Sequence, residues 1–135
     1  MPDYVLYHNP DRMGYPAEEV DWFNIVTSKH LPAVIGSRVW LLTGEGSPRT
    51  YKLIGHFTPT TMVPSEDDEF KWRISGPPNS GVQIRQSRWP ILNRLPWWSA
   101  FLKSQANFSL GLQPITEAEY LKGLEEVFNQ ATTRR

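Results

Sequence analysis

Residues 116–131 are the one stretch of this chain whose apolar side chains recur at helical spacing; elsewhere the apolar runs are short and end in proline, glycine or asparagine. A sequence punctuated in this way folds as short strands joined by turns, with its long helix near the C-terminus. Tyr4–His8 is an aromatic and β-branched run closed by Asn9-Pro10 and reads as a first strand. Residues 11–16 carry loop signals, and Pro16 suits the first turn of a short helix through Glu18, Glu19 and Val20. Residues 22–28 are ambiguous by period, but the β-branched Ile25-Val26-Thr27 favours a strand. Arg38–Thr43 and Thr50–Phe57, joined across Gly44–Pro48, form a hairpin in which Gly55 marks a bulge.

After the acidic run Glu66–Glu69, residues 70–74 alternate apolar and cationic side chains, as a half-buried strand does. Residues 76–81 force a loop, and Val82–Arg85 alternates again. Residues 88–108 leave room only for a short helix near Ser99–Lys103, and Phe108–Leu112 is a last extended piece. Thr116 and Glu119 have the spacing of a capping box for the final helix. Ala118, Leu121, Leu124, Val127, Phe128 and Ala131 are its apolar stripe, and residues 131–135 are expected to fray. Five or six short strands with peripheral helices predict an α+β fold built on a small, bent or closed sheet, with residues 1–135 as one domain.

The chain is too rich in Trp, Tyr and Phe to be disordered. It has no cysteine, which excludes disulfides, cysteine zinc sites and thiol nucleophiles, and no apolar run long enough to span a membrane. Together with an N-terminus unlike a signal peptide, these features lead us to expect a cytoplasmic protein. His8, His30 and His56 are isolated, so no metal is expected. Gly44-Glu45-Gly46 lacks the lysine and hydroxyl of a phosphate loop, and no serine sits in a nucleophile elbow. No organic cofactor is implied either.

Lysines and arginines balance aspartates and glutamates at 14 each, but the two signs are segregated. Between Phe70 and Thr116 there are six cations and no acid, so one face can meet an anion. Six tryptophans are more than a core of this size needs, because each buried indole N–H wants a partner. Trp40 lies in the most apolar strand and reads as core. Trp22, Trp72, Trp89, Trp97 and Trp98 lie beside polar residues or turns, where a ring either seals the end of a sheet or stacks on a base.

In their order along the chain these segments resemble the PUA-like superfamily, specifically its EVE and YTH branches. The resemblance is carried by Tyr7-His8-Asn9-Pro10, by Ile25-Val26-Thr27-Ser28-Lys29, by the Gly-led strand Gly36–Thr43, by Gly55-His56-Phe57, and by the ending Phe108–Tyr120. It implies a bent β-barrel of five or six strands whose aromatic pocket accepts a flipped, modified and commonly methylated base, DNA being favoured over RNA. It further implies a nuclease or NTPase as partner or fusion. Carried over by position, His8, Asn9, Asn24, Val26, Thr27 and Ser28 would line the pocket. Trp22 would be the cage aromatic, with Trp72 or the Trp97-Trp98 pair opposite. Lys29, Arg73, Arg85, Arg88, Arg94 and Lys103 would hold phosphates, giving affinity that falls steeply with salt. The same resemblance admits an ASCH-like amidohydrolase using Thr27 and Lys29, and the exposed tryptophans admit a protein-interaction module.

Overall fold

A computed structural model describes residues 2–67, 69–105, 108 and 112–133. Its strands are β1 (Asp3–His8), β2 (Asn24–Thr27), β3 (Val39–Glu45), β4 (Thr50–Phe57), β5 (Thr61–Pro64), β6 (Trp72–Ser75), β7 (Gly81–Gln83) and β8 (Gln113–Ile115). The α-helices are α1 (Pro10–Met13), α2 (Trp98–Ser104) and α3 (Ala118–Thr132). The fold is α+β, as expected, but the described strands do not close a barrel. They form a five-stranded sheet in the order β7-β4-β3-β1-β8 and a three-stranded sheet in the order β2-β6-β5.

β3 is the axis of the larger sheet. Val39–Gly44 are all buried, which is why the sequence there is a continuous apolar run rather than an alternating one. β1 lies parallel to β3, from Tyr4 opposite Val39 to His8 opposite Thr43. The hairpin partner β4 is antiparallel, and its register slips between Leu41 and Leu42 so that Ile54 is the extra residue. The bulge sits beside Gly55, which takes φ +153 and packs directly against the Val82 backbone of β7.

On one face of this sheet α2 and α3 contribute aromatic rings. Phe128 of α3 meets Trp40 edge-on and His56, while Trp98 of α2 lies against Tyr51. Arg38 ties three elements together: Nε donates to Asp3 Oδ2 at 2.6 Å and Nη2 to Glu125 Oε2 at 2.8 Å, with its guanidinium over the Trp40 ring. On the other face Phe57 stacks with Phe23 at 5.3 Å, and Trp22 is buried beneath His8.

Several local expectations are corrected. Residues 10–13 are helical: Asn9 Oδ1 accepts from the amides of Asp11 and Arg12, Pro10 opens the helix, and Gly14 closes it in the left-handed region. The acidic loop is flanked by an additional strand, β5, paired to β6. The capping box does not form. Thr116 still continues the extended chain after β8, so Glu117 becomes the N-cap and makes no side-chain bond. The last described strand is Gln113–Ile115; of the extended piece expected over 108–112, Phe108 is left-handed and residues 109–111 lie outside the described set. Ala131 and Thr132 remain helical, and residues 134–135 lie outside the described set. No helix among the described residues is long and apolar enough to cross a membrane.

Replacing Gly55 by alanine tests the bulge. The new methyl overlaps the Val82 carbonyl oxygen at a backbone angle that L-residues avoid. A loss of about 2–4 kcal/mol in urea unfolding is expected. Gly46→Ala, at φ +80 in an open turn with the nearest atom at 3.5 Å, should lose only about 1 kcal/mol.

Candidate functional site

Where β1 and β2 would have to pair to close a barrel, there is a cavity instead. Among the described residues β8 pairs with Asp3–Val5, and Leu6–His8 pair with β3 alone. β2 is likewise the end strand of its own sheet. The space between them is a cavity of about 390 Å³, walled by Leu6–Asn9 of β1 and its end and by Ile25–Ser28. Lys29 pins the far end: Nζ donates to Leu112 O and to Gln113 Oε1, both at 3.0 Å, tying the end of β2 to the start of β8.

Three aromatic side chains and one imidazole line this cavity: Tyr7, Phe70, Phe108 and His8. Tyr7 and Phe108 are stacked, 4.7 Å apart and 13° from parallel. Phe108 holds φ +64, a left-handed conformation that costs a non-glycine residue about 1–2 kcal/mol, so its ring is held there by packing. Burial pushes the Tyr7 phenol up to about 12, and the ring stays neutral across the physiological range. His8 is 3% exposed, and its Nε2–H donates to the Tyr15 carbonyl at 3.1 Å, leaving Nδ1 as the acceptor. Burial lowers its pKa, and neither the Tyr15 hydrogen bond nor the charge of Glu18 offsets that loss. The polar edge is supplied by Asn9, Thr27 and Ser28.

A second, more open groove of about 720 Å³ continues outward from the first and shares Arg12, Met13, Ile25, Val26 and Phe70 with it. Its rim is acidic, with Glu19, Asp21, Glu66, Asp67 and Glu69 against Arg12 and Arg73. The acidic loop is therefore more than a solvated tip. Asp67 Oδ1 accepts from the amides of Glu69 and Phe70 at 2.8 Å, and these bonds hold its carboxyl below the usual range. Glu69 in turn pairs with Arg12, whose guanidinium lies 5.3 Å from the Phe70 ring centre. Loop, α1 and Phe70 thus form one partition between cavity and groove.

Of the residues singled out from the sequence, His8, Asn9, Val26, Thr27 and Ser28 converge on the inner cavity. The tryptophans do not. Trp22 is 1% exposed and donates Nε1 to Ala17 O, so it is core beneath His8 rather than a cage wall. Trp98 is buried behind Phe108, and Trp97 packs on α3 against Gly123 and Tyr120. Trp72 stacks on His30, outside the cavity. Asn24 faces the outer groove, where Oδ1 accepts from Arg73 Nη1 and Ser75 Oγ. Among the proposed phosphate ligands, Lys29 and Arg73 are engaged in these internal bonds, and Arg85, Arg88, Arg94 and Lys103 line neither space. Tyr7, Arg12, Phe70 and Phe108 were not legible as a set, because each comes from a different segment. Comparison with protein-family models, curated proteins and solved structures finds no match.

The histidines make a measurable prediction. His8 and His56 both have lowered pKa values through burial, with Arg38 adding to the effect at His56. The unfolded chain then binds more protons than the folded one, so stability is full above the unfolded imidazole value of about 6.5 and declines as pH falls through the folded values. Urea unfolding between about pH 7.5 and about pH 5 should show that decline, and His8→Gln with His56→Gln should flatten it.

Proposed function

We propose that this protein is a non-catalytic reader that holds a single modified base, displayed from a nucleic-acid strand, in the cavity between β1 and β2. The observation carrying this reading is the convergence of His8, Asn9, Val26, Thr27 and Ser28 on a cavity walled by Tyr7, Phe70 and Phe108. A flat, weakly polar ring fits such walls: stacking acts on its faces, and the polar side chains of Asn9, Thr27 and Ser28 serve its edge. Stacking and edge bonds of this kind offset the few kcal/mol needed to unstack a base. A methyl group gains further from the apolar side chains of Leu6, Met13 and Ile25. The resemblance to PUA-like readers supports the same reading, and a cytoplasmic setting and DNA as the strand belong to the proposal.

Recognition in this reading centres on the base and not on the phosphates. The outer rim is acidic and the cations from 85 to 103 lie away from the cavity. An amidohydrolase has less support. Lys29 is committed to Leu112 and Gln113, Glu45 bonds Lys52 Nζ at 2.6 Å, and no carboxylate is among the described residues lining the inner cavity.

The test is fluorescence titration with short single-stranded oligonucleotides carrying N6-methyladenine or 5-methylcytosine beside unmodified controls. One modification should bind selectively, and Phe70→Ala should weaken it by about tenfold. Contact with a single phosphate predicts only about a threefold loss between 50 and 200 mM salt. Equal binding of all oligonucleotides, or a salt dependence of several decades, would overturn the reading.

A further inference from the structure

Beside the cavity, and outside it, an aromatic stack stands at the surface. The imidazole of His30 lies on the indole of Trp72, ring centres 4.0 Å apart and planes 21° from parallel. His30 is exposed and belongs to the loop after β2, whereas Trp72 is half-buried and fixed in β6. In the β2–β6 register Trp72 is directly opposite Thr27, so the two side chains share a face of the sheet. Thr27 and Ser28 line the cavity, and His30 follows two residues later. A rigid indole covered by a small, exposed, loop-borne ring therefore stands one strand position from the base site.

We propose that Trp72 is the stacking platform for the nucleotide next to the one in the cavity, and that His30 is its resident cover. This rests on the reading of the cavity as a base site. A strand that turns one base into the cavity leaves the adjacent base without a stacking partner on that side. Trp72 supplies one, and the imidazole on a loop residue gives way to the larger ring. The recognised unit is then a modified base with one flanking base of any identity, since every base offers a π-face. Of the neighbouring cations, Lys29 is bonded to Leu112 and Gln113 and Arg73 to Asn24, while Lys71, exposed beside Trp72, acts equally on ligands whose phosphates are the same.

Trinucleotides with a central N6-methyladenine or 5-methylcytosine test this, compared with the same molecules whose two outer positions are abasic, and with the free nucleosides. The phosphates are identical in the first pair, so only the flanking base differs. The intact trinucleotide should bind about tenfold more tightly than the abasic one, and Trp72→Ala should abolish that advantage while leaving nucleoside affinity unchanged. The unchanged nucleoside affinity doubles as the control for folding, and Trp72→Leu, which keeps more bulk, should behave as the alanine variant does. His30→Ala should retain the advantage or increase it. No difference between intact and abasic ligands, an advantage that survives in Trp72→Ala, or a loss in His30→Ala equal to that in Trp72→Ala overturns the platform. Failure of every modified ligand, nucleosides included, overturns the base site itself, which is a distinguishable result.

Discussion

The parallel pairing of β1 with β3 is the constraint on which the rest of this structure depends. A parallel neighbour cannot be reached by a tight turn, so residues 9–38 must travel from the end of one strand to the start of the other. That excursion contains α1, Trp22 and all of β2. It carries β2 into a separate sheet and leaves the carboxyl end of β1 facing it across a gap. The pairing is held firmly, since Val5, Val39, Trp40, Leu41 and Leu42 are all fully buried and Arg38 links Asp3 to α3.

The gap explains why a barrel-like sequence does not make a barrel. Among the described residues β8 pairs with β1 only as far as Val5, and β2 ends its own sheet, so no ladder joins β1 to β2. Nonpolar rings fill part of that space and a cavity occupies the remainder. The acidic loop has a structural part in this arrangement. Asp67 fixes the backbone at Phe70, Glu69 holds Arg12, and the cavity gains a wall made of groups from β1, α1 and the β5–β6 loop. The charge segregation along the chain is thus real in sequence, while in space five acids share the outer groove with Arg12 and Arg73, and Arg85, Arg88, Arg94 and Lys103 line neither space.

Much of the local structure was legible. Six of the eight strands fall where alternation or apolar runs predict them, and Gly55 marks the bulge because a close backbone approach leaves no room for a side chain. The misses have local causes. Asn9-Pro10 reads equally as a turn and as the cap and first residue of a helix, and only the left-handed Gly14 settles the difference. β5 is a short, mostly exposed strand with Pro64 at its end, so no pattern of burial announces it. The capping box fails because its spacing counts from the N-cap, which is Glu117, while Thr116 stays in the extended chain after β8.

For the site, the sequence by itself determined that His8, Asn9 and the step Val26-Thr27-Ser28 stand at strand ends. It also determined that a chain with six tryptophans has large rings to place. Which rings reach the cavity was decided only by tertiary structure. Trp22, Trp40, Trp89 and Trp98 are core, and three of those indoles find acceptors at Ala17, Asp3 and Ile84. Tyr7, Phe70 and Phe108 took the walls. The physical reason is that burial depends on where distant segments meet: Tyr7 of β1, Phe70 of the β5–β6 loop and Phe108 come together only in the folded chain, beside the space between β1 and β2.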